Sequence, residues 1–469
     1  MGRDRLVQGD AVGAARFGRR RLVRRMGLAV AGFAALPLLA ACRSAAAPTS
    51  TPQVERDDAT PTLPAPTLPP PPPLVQRGAT LRLWALGSIS PAADRQLQAL
   101  AAEWAREQGA AVAVEFLGVG ALQARLATPG LTGADIVQCR DNWAWLWPDQ
   151  FAEVYREAEA LAAAGGGFLD APALHGRVDG VWRAIPFSVA PTAVIYRTDW
   201  YQQAGVATFP ATLDGLLATG KQLKAAGHPF GAPAGRSNDD PRAIWSSILW
   251  AFGGREVEAD GKTIAIAAPE TGRALDWAAQ FWQAACAADG LGWDDNANNR
   301  LYTGGQIAAT QNGPAIYLYA KDALPDLAAR SSHAPFPAGP AGQGGPVTTY
   351  AHAILKSSTQ QAAARDFLGW LGQSAQSDRY FAAAGGALVP ALRAEATGTT
   401  WTREPKLQPF LDAAKLGRWV GWPGLPNRAA TASAEQFVTV DLFARVLAGA
   451  TPQQSILEAE AALRGIYKG

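Results

Sequence analysis

Three patterns of apolar and polar positions follow one another along the chain. The first is a short apolar run over residues 26–41, rich in Ala and Leu, behind a basic segment. The second, residues 43 to about 78, has no period and is dense in Pro, Thr and Ala. The third begins at Ala79 and switches between a period of 2 and a period of 3.6. Thr80–Leu86 alternates and predicts a strand. Ser90 is placed to cap a helix with Pro91 at its first position. Leu97, Leu100, Ala101 and Trp104 then fall at helical spacing until Gly109 stops it. Ala111–Leu117 predicts a second strand, 122–126 a short helix and 134–138 a third strand. That alternation implies an α/β fold with a parallel sheet and helices on both faces. The stretch 79–469 is too long for one ordinary core and suits two lobes.

The first pattern is an address rather than a fold. Residues 1–25 hold eight arginines against Asp4 and Asp10. The sixteen apolar residues behind them cover about 24 Å as a helix, short of the roughly 30 Å of a bilayer core. A basic segment and a short apolar one read as an export signal over 1–41. Its end, Leu39-Ala40-Ala41-Cys42, resembles the lipobox of bacterial lipoproteins, which implies a diacylglyceryl group on Cys42. The run Arg19-Arg20-Arg21-Leu22-Val23 resembles the twin-arginine signature, and the Sec route stands beside it as the alternative. Residues 42–78 then form a spacer ending in Pro69-Pro70-Pro71-Pro72-Pro73. Proline keeps such a segment extended at about 3.1 Å per residue, enough to hold a domain up to roughly 100 Å from the membrane.

Loss of the signal reverses the charge. The full chain carries 42 basic and 40 acidic residues; without the signal it keeps 34 and 38, near −4. No basic surplus remains to grip a phosphate backbone, which argues against nucleic acid as a partner. Besides Cys42 there are Cys139 and Cys286, which fall in segments assigned to different lobes. They read as buried thiols rather than a disulfide.

Seven short segments, in order and at matching spacing, carry a resemblance. They are Leu81-Arg82-Leu83-Trp84; Ala134-Asp135-Ile136-Val137; residues 178–186, read VDGVWRAIP; residues 192–199, read TAVIYRTD; residues 209–216, read FPATLDGL; Gly304-Gly305-Gln306 with Asn312-Gly313-Pro314; and residues 385–390, read GGALVP. Together they resemble the extracellular solute-binding proteins of family 1, the receptors of carbohydrate ABC importers that include the maltose-binding proteins. The resemblance implies a type II periplasmic-binding-protein fold, two α/β lobes joined by crossover hinge strands. It places lobe 1 at about 79–190 and 314–355 and lobe 2 at about 191–313 and 356–469. It also implies a monomer that captures a small solute between its lobes and delivers it to permease subunits, with no enzymatic activity, cofactor or metal. Ala315 and Ala190 depart from the maltose-binding pattern and argue against maltodextrin.

A sugar offers hydroxyls and apolar C–H faces, so its site combines planar polar groups with aromatic rings. Asp141, Asn142 and Trp143 follow the third strand and are candidates for the cleft, while Trp145 and Trp147 equally suit packing. Ser88 occupies a position of ligand contact in the family, or else caps the next helix. Asp240 and Arg242 open a helix in a segment that lines the family's cleft, and capping by an aspartate accounts for the pattern almost as well. Asn312 and Tyr350 lie near the crossings between lobes. Trp419 and Trp422 lie in a late loop that reaches the ligand in the family, or pack in the core.

The rival classes are weaker. Neither Gly235-Arg236-Ser237-Asn238-Asp239 nor Gly372-Gln373-Ser374-Ala375-Gln376 completes a nucleophile elbow. His175, His228, His333 and His352 do not pair at metal-ligand spacing, and no phosphate loop is present. A secreted hydrolase is therefore disfavoured. A receptor of the same fold for a polyamine, iron chelate or phosphonate, or one serving a sensor kinase, remains open.

Overall fold

The computed structural model describes residues 78–468 other than 89, 238 and 398. The export signal, Cys42 and nearly all of the proline-rich spacer fall outside the described residues.

Local chemistry sets the first elements where the sequence places them. Strand β1 is Thr80–Leu86 and β2 is Ala111–Leu117. Helix α1, Pro91–Gln108, starts on Ser90, whose side chain accepts from the Ala93 amide, and ends on Gly109 in the left-handed conformation. Helix α2 is Val119–Leu126. Strand β3, Ile136–Arg140, begins two residues later than its sequence pattern implies. Asp135 stays off the strand because its carboxylate accepts from the Arg82 amide at 2.8 Å.

Two sheets organise the chain. The first also contains β4 (Ile185–Ala190), β9 (Thr348–Ile354) and β10 (Val389–Pro390); the second contains β5 (Ala193–Arg197), β6 (Phe230–Gly231), β7 (Ala309–Asn312) and β8 (Ser331–Ala334). Their orders are β10-β4-β9-β3-β1-β2 and β8-β5-β7-β6. The β1–β2 and β1–β3 pairs are parallel, but β9 runs antiparallel to both β3 and β4. The first sheet is therefore mixed rather than parallel. A strand returning from the other lobe enters it from the opposite end.

The chain changes sheet between Ala190 and Ala193 and returns between Ala334 and Thr348. The return falls later than the sequence pattern placed it, because Ser331–Ala334 pairs antiparallel with β5 in the second sheet. The stretch after 355 also differs from expectation. Helices Gln361–Leu371 and Ser374–Ala384 bury Phe367, Leu371 and Phe381 in the first-lobe core with Trp104 and Ile354. Only the C-terminal helices turn to the second lobe, where Phe443 and Leu463 join Trp245 and Phe281. A third apolar cluster lies at the crossings and includes Val189, Ile195, Val347 and Val389. Cys139 and Cys286 are both free and buried. Among the described residues no helix is long and apolar enough to cross a membrane.

Candidate ligand-binding cleft

Strand β3 ends at Arg140, on the edge of the first sheet that faces the second lobe. Asp141 reverses the chain there with φ +48°, a left-handed conformation uncommon outside glycine. Two bonds hold it: its amide donates to the Thr349 carbonyl at 2.9 Å, and its Oδ1 accepts from the Thr349 amide at 3.0 Å. Such strain persists only where the surroundings over-determine it, and it concentrates at functional sites. The reversal sends the short helix α3, Trp143–Leu146, across the sheet end.

Opposite this turn stand the N-terminus of helix α4, Asp240–Ala251, and helix α5, Arg428–Glu435. A cleft of about 410 Å³ opens between them, lined from the first lobe by Gln123, Arg140, Asp141, Asn142 and Trp143. Asp239, Arg242, Thr431, Glu435 and Phe437 line it from the second lobe. That volume lies within the roughly 300–1,000 Å³ of small-molecule sites. The position beyond the carboxyl ends of sheet strands is where open α/β folds bind ligands.

Four charges cross the cleft floor and neutralise one another. Arg140 Nη2 donates to Asp239 Oδ1 and Oδ2 at 2.7 and 2.6 Å, and Arg242 Nη2 donates to Asp239 Oδ1 at 2.9 Å. Asp141 Oδ2 lies 3.6 Å from Arg140 and 3.9 Å from Arg242. Lost hydration works against the charge on Asp239, but Arg242 and Arg140 outweigh it and hold that carboxyl below the usual aspartate range. Its neighbour has the opposite fate. Asp240 is pushed up to about 7 by burial, although Asn298 Nδ2 donates to it at 2.7 Å.

Other polar contacts bring the lobes together. Gln123 Nε2 donates to Glu435 Oε1 at 2.6 Å. Asn142 Nδ2 donates to the Asn427 carbonyl at 3.2 Å and to Thr431 Oγ1. Arg428 donates to the Leu146 carbonyl. Thr431 and Glu435 lie four residues apart on α5 and Arg428 three before Thr431, so one helix face supplies all three contacts.

Four sequence candidates thus converge here: Asp141, Asn142, Trp143 and Arg242. Trp143 is also a core residue, only 4% exposed, with its ring edge-on to Trp147 at 6.2 Å. Trp145 is tied by its indole N–H to the Leu174 carbonyl at 2.8 Å. Tyr350 sits on β9 opposite Arg140, close enough for Arg140, Asp141 and Asp239 to act on its phenol. Burial pushes that phenol up to about 12, so it stays a neutral donor.

The remaining candidates lie elsewhere. Ser88 closes a local loop, its hydroxyl donating to the Ser90 carbonyl and its amide to Asp94. Asp240 and Asn312 are bound to each other at 3.1 Å in a partly buried group with Asn298 and Asn299. They are not among the residues that line the cleft; amide side chains of the second lobe hold Asp240 Oδ2 instead. Trp419 is buried and donates to the Gly424 carbonyl at 2.7 Å. Trp422 lies under the Arg418 guanidinium at 3.7 Å and borders a smaller recess behind the cleft. Sequence reasoning missed Gln123, Arg140, Asp239, Thr431, Glu435 and Phe437. Arg140 and Asp239 were adjacent to residues it chose, whereas nothing in the pattern of 428–437 marks a cleft wall.

Comparisons with known proteins identify the family and the fold. The model of the bacterial extracellular solute-binding protein family matches residues 88–377. Among solved structures, the acarbose-binding GacH receptor of Streptomyces glaucescens shares 20% identity over 84% of this chain and 99% of its own, with a TM-score of 0.69. The cyclic α-maltosyl-1,6-maltose binding protein of Arthrobacter globiformis shares 18% over 83% and 99%, with a TM-score of 0.68. An ABC transporter solute-binding protein of Agrobacterium radiobacter in complex with ribitol shares 21% over 83% and 99%, with a TM-score of 0.65. No curated protein matches the chain. The family match covers well over half of the sequence, and the chain belongs to the bacterial extracellular solute-binding proteins.

Proposed function

We propose that this chain is the receptor of an ABC importer and captures a neutral saccharide between its lobes. The observation that carries the reading is the charge balance of the cleft. Its two arginines are matched by Asp141 and Asp239, so an anion finds no positive surplus there; the one further carboxylate, Glu435, accepts from Gln123 and is a single charge against the several of a polyamine. What remains are planar donors and acceptors on Gln123, Asn142 and Glu435 beside the rings of Trp143 and Phe437. Hydroxyls pair with the former and C–H faces with the latter. Similar structures hold acarbose and ribitol, which supports the same ligand class.

In this reading closure follows from contacts that a solute makes with both walls at once, and no covalent step is needed. Residues 1–41 direct export, a lipid on Cys42 holds the monomer to the outer face of the membrane, and 42–78 tether it beside its permease. Thermal unfolding against sugars, polyamines and phosphonates tests the ligand. A binder at a hundredfold excess over Kd adds about 2.7 kcal/mol. Stabilisation by polyamines or phosphonates alone would overturn the saccharide assignment. Mass spectrometry of the membrane fraction tests the anchor: a Cys42→Ser chain should lose its diacylglyceryl group and leave the membrane.

A further inference from the structure

Behind the second-lobe wall lies a recess of about 40 Å³ that shares Arg242, Val420, Ala434 and Phe437 with the cleft. The shared residues make it a side chamber of the binding space rather than a separate cavity. Its deeper walls are Trp250, Trp422, Val438 and Val440. The first two rings meet edge-on at 5.6 Å, and both valines are buried. Of the polar side chains on the wall, Ser246 brings one hydroxyl, and Glu256 and Arg242 are already engaged. Glu256 accepts from Ser433 Oγ at 2.8 Å and from Thr439 Oγ1 at 2.5 Å, and Arg242 faces Asp239.

Phe437 forms the lip between cleft and recess, and its backbone is left-handed at φ +60°. A bulky aromatic in that conformation is strained, and an observed outlier of this kind points to a functional constraint. The size of the chamber limits what can enter. About one probe sphere, roughly 10–15 Å³, admits a water, so 40 Å³ is room for a methyl group and not for a ring. A water there would find few of the two to four partners it needs.

We infer that the recess selects saccharides bearing a methyl substituent, a 6-deoxy sugar or an O-methyl sugar, and seats that methyl behind Phe437. The inference rests on the saccharide reading above and narrows it. Matched pairs that differ only in CH3 against CH2OH test it: L-fucose against L-galactose and L-rhamnose against L-mannose. They are titrated calorimetrically into the full-length chain. The methyl member of at least one pair should bind about tenfold tighter, the discrimination a methyl-sized apolar pocket supplies. Ala434→Leu, which fills the recess from helix α5, should bring the two members to parity. Val438→Ala, which strips the wall without filling it, should lessen the preference without abolishing binding.

Equal binding within the pairs, or saccharides that bind while no pair member does, overturns the inference and leaves the receptor reading intact. A preference that survives Ala434→Leu in a variant with a wild-type melting curve also overturns it. Absence of binding by every saccharide overturns both.

Discussion

On the first-lobe side of the cleft, the residues facing the ligand space come from one short stretch of chain: Gln123 on helix α2, the end of β3, and the turn and short helix α3 behind it. The second-lobe side joins two segments far apart in sequence, 239–242 and 431–437. The difference extends to packing. Asn142 and Trp143 are 2% and 4% exposed, and Trp143 belongs to a core cluster with Trp84, Leu126 and Phe151. On the other side, Glu435 is exposed and the Asp239 side chain is 46% exposed. The first wall is fixed by the core beneath it, whereas the second is a docked surface. A change on the first should therefore read out as stability, and one on the second as lobe closure and binding.

Trp143→Ala is the strongest test of this contrast. It should cost about 3–5 kcal/mol in urea unfolding, the cost of emptying a large core site. A loss below about 1 kcal/mol, the range of ordinary surface changes, would show that the first wall is also only docked.

Acid should weaken the first wall next. His175 and His352 lie beneath it, each lowered by burial to about 4, and His175 Nδ1 is 2.6 Å from Thr349 Oγ1. A base whose folded pKa is depressed binds fewer protons folded than unfolded. Stability is therefore complete above about pH 6.5 and falls as the pH drops towards 4, by up to about 3 kcal/mol per histidine. Urea midpoints at pH 7 and 4.5 measure it, and His352→Leu should flatten the slope.

Asp240 supplies the opposite sign behind the second wall. Its folded pKa is raised to about 7, so the stability it contributes is present in acid and lost as pH rises from about 4 through 7. Asp240→Asn should unfold at a higher temperature than the parent at pH 8 and at the same temperature near pH 4.

Asp239→Asn should be milder, about 1 kcal/mol, because the Asp239 side chain is half-exposed and its pairs with Arg140 and Arg242 are partly screened. Its readout is shape: the radius of gyration by X-ray scattering should grow at low salt and match the parent at 1 M NaCl. Glu435→Ala, which removes only the Gln123 contact, should stay within about 0.5 kcal/mol in thermal unfolding.

The sequence was most legible where local chemistry decides structure. Ser90, Pro91 and Gly109 bound a helix that forms where they place it, because capping and the left-handed stop act within one turn. Asp141, Asn142 and Trp143 were legible as cleft-lining residues because the turn after the carboxyl end of a strand opens onto the crevice of an α/β fold. The return crossing was misplaced, since Ser331–Ala334 is too short and too polar for its pattern to say which sheet it joins. Asp240 and Asn312 were assigned to the cleft from their types and places. Which of two adjacent aspartates meets an arginine and which meets amides depends on neighbours distant in the chain.

From the order of its residues alone, the chain determines an α/β fold, its helix caps, the strand end that carries the first wall and the family it resembles. These follow from periodicity and from contacts a few residues long, which the unfolded chain already encodes. Only the tertiary structure decides the second wall. Helix α5 offers no motif, and its Arg428, Thr431 and Glu435 acquire meaning when folding sets them against Leu146, Asn142 and Gln123. The charge balance of Arg140, Asp141, Asp239 and Arg242 is decided there too. Charges whose lone burial would be unfavourable become compatible only when the lobes bring their partners within reach.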